Sequence, residues 1–279
     1  MGLLPPNVPM EYFMTNHKKS KMNKKQIILT AITSLIIVVI VGGTIFAGVS
    51  AMRLNKYKNM KVTLPQNFTI TAHTGCMGTK ENSVESMQVG VDNGAKVIEF
   101  DVHFTDDGVP VLSHDEPKGE KLSLNVAFDF LAQNENIKAN VDMKSVDNMT
   151  AVRKAAMKKG VMNQIFFTGI NTEFVEAVKT NSNDIEYYLN VDVDKKKNTD
   201  QEYLKSLVAQ VKDAGAVGIN FNYKSASKEL VDYFHENDLL VSIWTVDRKM
   251  DMYKVLEMAP DNITTRNPDK LSEIIKNME

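Results

Sequence analysis

The sequence predicts a (β/α)8 barrel of the TIM type behind a single N-terminal transmembrane helix, and three observations lead there. An uncharged apolar stretch near the N-terminus is long enough to cross a bilayer. Short runs rich in Val, Ile and Phe alternate with helical patterns over the rest of the chain. Titratable residues collect where those runs end. The 279 residues, 43% of them hydrophobic and 24% charged, suit one barrel of about 200 to 250 residues plus an appendage. A net charge of -2 leaves no basic excess to hold a nucleic-acid backbone, so no nucleic-acid partner is expected. The single cysteine, Cys76, excludes an intramolecular disulfide and a thiolate metal cluster, and reads as a small packed side chain.

Taken in order, residues 1–25 form a basic tail, 26–50 the transmembrane helix, 51–66 a polar linker and 67–279 the barrel. Lys18, Lys19, Lys21, Lys24 and Lys25 precede the apolar run, so the positive-inside tendency puts the tail in the cytoplasm and the barrel outside a single-pass cell membrane. Arg53, Lys56, Lys58 and Lys61 follow the run and weaken that asymmetry. A cleaved signal peptide is the rival reading, with Val49 and Ala51 at a cleavage-like position. Its apolar core is usually only ~7 to 15 residues, so an uncleaved anchor is expected.

Eight strands are expected at 68–72, 97–103, 137–143, 164–168, 185–190, 216–221, 239–246 and 262–265. Helical patterns lie between them at 84–93, 149–159, 172–179, 201–213, 226–237, 248–258 and 268–277. An extra strand at 109–113 follows Asp107 and Gly108, a turn-favouring pair, and should fold back antiparallel on strand two.

In such barrels the working groups sit at the C-terminal ends of the strands. His73 lies just past strand one, and Glu99 and Asp101 stand two apart near the end of strand two, on one face of an extended chain. That inward face should be apolar, so two carboxylates there read as ligands of a hard divalent cation, Mg²⁺ or Ca²⁺. Asp142 and Lys144 repeat the spacing on strand three, and His114 with Asp115 follows the hairpin strand. A metal and a lysine to neutralise a phosphate, with two imidazoles to exchange protons, suit phosphodiester chemistry. Each piece alone is as readily a surface pair or a structural hydrogen-bonder.

The ordered set is more specific. Ala72, His73, Thr74 and Gly75, then Glu81 and Asn82, Glu99 to Asp101, Asp107 and Gly108, and His114 and Asp115 resemble the signature of the glycerophosphodiester phosphodiesterase family in order and spacing. Asp142 to Lys144 stand at that family's acidic-x-lysine element, Trp244 to Asp247 at its Trp-Thr-Val-Asn element, and residues 262–269 at its closing segment. The resemblance implies His73 and His114 as the acid-base pair, Glu99, Asp101 and Asp142 as metal ligands, and Lys144 as the phosphate-facing cation. Trp244 would either wall the site or pack as a core aromatic, and His103 is taken as structural.

Three departures bear on the substrate. The family has an arginine after its first histidine where this chain has Thr74, so one phosphate contact is missing and Thr74 is expected at the substrate. Asp142 replaces the commoner glutamate, as in the related sphingomyelinase D enzymes, and the usual insertion after the second histidine is short. The implied function is metal-dependent hydrolysis of glycerophosphodiesters to an alcohol and glycerol phosphate. Alternatives are a phospholipase D-like activity on lysophospholipid or sphingolipid, and a silent membrane-anchored binding barrel. The partners expected are a small or lipid-derived phosphodiester and the membrane.

Overall fold

A computed structural model of the chain describes residues 23–58 and 61–278, in two compact units that divide between Lys56 and Tyr57. The described part of the first is helical, within α1 (Lys24–Lys58, 35 residues). Asn23 Oδ1 accepts from the Gln26 N–H at 2.9 Å while Gln26 Oε1 accepts from the Asn23 N–H at 3.0 Å, a reciprocal N-terminal cap. The segment Lys24–Val49 is long and apolar enough to cross a membrane, and none of it is buried. Apolar side chains point outward on all sides, which calls for apolar surroundings. The helix runs past the predicted end at residue 50, so the first part of the expected linker is helical. Ala51, Met52, Leu54 and the basic residues there are good helix formers, and no Gly or Pro intervenes before Pro65. Of the predicted basic tail, residues 1–22, with Lys18, Lys19 and Lys21, lie outside the described residues, and Lys24 and Lys25 open α1.

The second unit is a closed parallel barrel. Its eight strands are β1 (Thr69–Ala72), β2 (Val97–Phe104), β5 (Lys138–Met143), β6 (Ile165–Ile170), β7 (Tyr187–Asn190), β8 (Gly218–Asn222), β9 (Leu240–Trp244) and β10 (Asn262–Thr265). Each pairs with the next in parallel, and β1 closes the ring between β10 and β2. The connecting helices are α2 (Val84–Asp92), α4 (Met149–Lys159), α5 (Val175–Asn181), α6 (Gln201–Ala214), α7 (Lys228–His235), α8 (Lys249–Met258) and α9 (Pro268–Lys276). The hairpin strand β3 (Pro110–Leu112) returns antiparallel on β2, with His103 opposite Val111, as the Asp107-Gly108 turn leads one to expect.

Two elements escaped the sequence pattern. β4 (Leu122–Ser123) extends the hairpin, and α3 (Leu124–Ala132) follows it, capped by Ser123, whose Oγ accepts the Asn125 N–H. Phe128, Asp129 and Phe130 alternate like a strand, yet α3 buries Leu124, Ala127, Phe128 and Leu131 on one side. Phe128 meets Phe100 of β2 edge to face at 6.5 Å, which fixes the outward face of β2 as Ile98, Phe100 and Val102. Glu99 and Asp101 therefore point into the barrel. Because β2 and β5 pair in register, Asp101 opposite Asp142, the third carboxylate arrives on the same face.

The barrel interior is more polar than expected. Asn140, Thr168, Asn220, Ser242, Asn262 and Thr264 are all buried there. They satisfy one another across strands: Asn262 Nδ2 donates to Thr71 Oγ1 at 2.6 Å, Thr168 Oγ1 to Asn140 Oδ1 at 2.6 Å, and Asn220 Nδ2 to Asn190 Oδ1 at 3.0 Å. These bonds offset much of the desolvation cost of buried polar atoms, although Asn220 Oδ1 is buried without a hydrogen-bond partner among the described residues.

Candidate active site

A cavity of about 680 Å³ opens at the C-terminal ends of the strands. His73, Glu99, Asp101, His114, Asp142, Lys144 and Trp244 all line it. Seven of the eight residues singled out in the sequence thus meet in one mouth, and Thr74 does not.

One ligand oxygen from each of Glu99, Asp101 and Asp142 lies within 4.8 Å of the others. Glu99 is 6% and Asp101 3% exposed, so water does little to separate the charges. Asn82 holds Asp101 in place, its Nδ2 donating to Oδ2 and its Oδ1 accepting the Asp101 N–H, both at 2.9 Å. Asn82 does so from a left-handed backbone, φ 55°, a conformation asparagine tolerates better than most residues. On the other flank Gly169 brings backbone against Asp142. An added Cβ would stand 2.3 Å from the Met143 carbonyl and 2.8 Å from Asp142 Oδ1, so only glycine fits there.

Lys144 reaches between two of the carboxylates, its Nζ 2.5 Å from Asp142 Oδ2 and 3.0 Å from Asp101 Oδ1. Burial opposes its charge, but Asp142 and Asp101 outweigh that and hold the ammonium above its ordinary pKa. Glu99 is held well above the usual carboxylate range, first by burial and then by Asp101 and Asp142. Three carboxyl groups crowd one side of the cavity with the Lys144 ammonium among them. An all-oxygen donor set of that kind fits a hard divalent cation.

His73 Nδ1 lies 2.7 Å from the Thr74 carbonyl oxygen, which can only accept, so Nδ1 carries the proton and Nε2 is left as an acceptor. The Arg266 Nη2 stands 3.4 Å from that Nε2. Burial lowers the His73 pKa, the Thr74 carbonyl opposes that, and the Arg266 guanidinium adds to the lowering. His114 sits on the open rim, its Nδ1 2.8 Å from Asp115 Oδ1. That bond holds the Asp115 carboxyl below its ordinary pKa.

Thr74, expected against the substrate, is turned inward instead and is 2% exposed. Its Oγ1 accepts the Asn82 N–H at 2.5 Å, and its N–H donates to Glu99 Oε2 at 2.7 Å. Thr74 therefore braces the loop that carries Asn82 through its side chain and orients a carboxylate through its backbone, and an arginine there would lose the side-chain bond to Asn82 while its N–H could keep the one to Glu99. Trp244 lies on the cavity wall with its indole N–H buried and lacking a hydrogen-bond partner among the described residues. His103 stays off the cavity, its ring nitrogen against its own strand backbone at Phe104. Arg266 was not singled out in the sequence. Its place directly after Thr265, the last residue of β10, is the positional signal that could have found it.

The family model described as the glycerophosphoryl diester phosphodiesterase family matches residues 64–123 and 116–270. The uncharacterized protein YqiK of Bacillus subtilis (strain 168) is 27% identical over 240 residues, 75% of this chain and 98% of its own. A glycerophosphodiester phosphodiesterase of Caldanaerobacter subterraneus subsp. tengcongensis is 24% identical over 239 residues, 74% of this chain and 97% of its own. Among solved structures, an Oleispira antarctica phosphodiesterase in complex with the product sn-glycerol-3-phosphate superposes with a TM-score of 0.60 at 17% identity. The match covers 76% of this chain and 97% of that one.

Proposed function

The chain belongs to the glycerophosphoryl diester phosphodiesterase family, and on that premise we propose that it hydrolyses glycerophosphodiesters to an alcohol and glycerol phosphate. The observation that carries this reading is the meeting of three carboxylates, Lys144 and both histidines in one cavity. Glu99, Asp101 and Asp142 would hold Mg²⁺ or Ca²⁺, which when bound supplies positive charge to the phosphate oxygens. His73, with Nε2 as acceptor, takes the proton of the attacking oxygen. His114, oriented by Asp115, gives one to the departing alkoxide. Lys144 keeps its ammonium beside the carboxylate cluster on the cavity lining, where it would face a phosphate oxygen of the substrate. Trp244 walls the pocket with its ring. The product held by the Oleispira antarctica protein, sn-glycerol-3-phosphate, supports a glycerol-bearing diester as the substrate. Turnover of glycerophosphocholine, glycerophosphoglycerol and lysophosphatidylcholine by the full chain tests the assignment. Cleavage of lysophosphatidylcholine alone would favour the lipid-directed, phospholipase D-like reaction over it.

The helix α1 suits a membrane anchor that keeps the barrel on the extracytoplasmic side, with Lys24 and Lys25 at its cytoplasmic end. Protease added to intact cells is expected to degrade the barrel. A barrel that is digested only after lysis would reverse the topology.

A further inference from the structure

Among the described residues lining the cavity, two carry permanent positive charge, Lys144 and Arg266. The Lys144 ammonium is already engaged by two carboxylates, at 2.5 and 3.0 Å. Arg266 is placed differently. It leaves the end of β10 with its N–H donating to Asp247 Oδ1 at 2.7 Å and its Nη1 to Asp247 Oδ2 at 3.3 Å. That grip from behind sends Nη2 across to His73 Nε2, at 3.4 Å. The Arg266 side chain is 42% and that of Asp247 34% exposed. An ion pair so open to water is weakly held, so the guanidinium can swing to an incoming anion at little cost while the backbone bond keeps Asp247 in place. Asp247 in turn is anchored by the strand-end residues around it, accepting from Thr265 Oγ1 at 3.4 Å. Thr74 offers no competing contact, because its side chain faces away from the cavity.

We propose that Arg266, aimed by Asp247, is the arm that binds the substrate's phosphate beside His73. A guanidinium presents a planar fork of donors that matches two phosphate oxygens, which the single point charge of Lys144 does not. The ligand's identity rests on the phosphodiesterase reading, and Asp247 acts as a positioning residue through Arg266.

The test uses the full chain in detergent with Ca²⁺ or Mg²⁺ present. Calorimetric binding of sn-glycerol 3-phosphate and steady-state hydrolysis of glycerophosphocholine are measured in parallel. Arg266→Gln is expected to weaken glycerol phosphate binding ~10- to 100-fold, the size of a lost charge-assisted hydrogen bond pair, and to raise KM by a similar factor with a smaller change in kcat. Arg266→Lys should recover part of the affinity, and Asp247→Asn should fall between it and the parent. Wild-type affinity in Arg266→Gln overturns the assignment, as does a parent that binds no glycerol phosphate. Should Arg266→Gln not fold, equal affinity in Arg266→Lys and the parent overturns it too. The outcomes separate from those of the activity itself. A parent that hydrolyses diesters with an unchanged KM in Arg266→Gln keeps the activity and loses the arm. A parent that binds glycerol phosphate through Arg266 but cleaves nothing keeps the arm and loses the activity.

Discussion

Removal of divalent cations by EDTA is expected to lower diester hydrolysis about 10³-fold, with recovery on adding Mg²⁺ or Ca²⁺, because charge stabilisation by a metal is worth several kcal/mol. Asp101→Asn should do the same without chelator, since Asn82 can still bond an amide of the same shape while the ligand charge is gone. A readout independent of turnover follows from the electrostatics. Glu99 is buried beside two other carboxylates, so the metal-free chain carries repulsion that a cation relieves. Added Ca²⁺ or Mg²⁺ should therefore raise the Tm of the parent and raise that of Asp101→Asn much less. Full activity in EDTA, or equal thermal shifts in both proteins, would remove the metal from the mechanism.

Replacing His73 should cost roughly 10²- to 10⁴-fold in kcat, the usual worth of a positioned acid or base. His73→Gln is the sharper variant. Its amide can keep a polar contact to the Thr74 carbonyl but cannot accept and carry a proton as the imidazole does. His114→Ala is expected to fall in the same range. The double variant should lose far less than the product of the two single losses, because the pair serves one proton circuit. Turnover close to the parent in either single variant, with unchanged circular dichroism, would take that histidine out of the chemistry.

The fold was legible because β2 and β5 carry apolar residues on the helix-facing side and carboxylates on the other, a period that Glu99, Asp101 and Asp142 mark plainly. Helix α3 was not legible, since Phe128, Asp129 and Phe130 alternate with a strand-like period. The Ser123 cap and the packing of Phe128 on Phe100 favour the helix over a strand. The polar barrel interior was also hidden: Asn140, Asn220 and Asn262 look unremarkable singly, and their bonds to Thr168, Asn190 and Thr71 depend on the register of neighbouring strands. Within the site, the carboxylates and histidines were readable from spacing and position. The orientation of Thr74 was not, because it is set by the fold of the loop that returns Asn82 to it. Arg266 is the converse case. Its neighbour at the far end of the chain, His73, lies 193 positions away in sequence, so no local pattern could link them.

The most direct test of the central claim follows the phosphorus nucleus of glycerophosphocholine incubated with the full chain and Ca²⁺ or Mg²⁺. The expected result is conversion of the diester signal to that of glycerol phosphate, dependent on the added cation and absent in His73→Gln. A diester signal that persists unchanged at every cation concentration, with the protein folded, would contradict it.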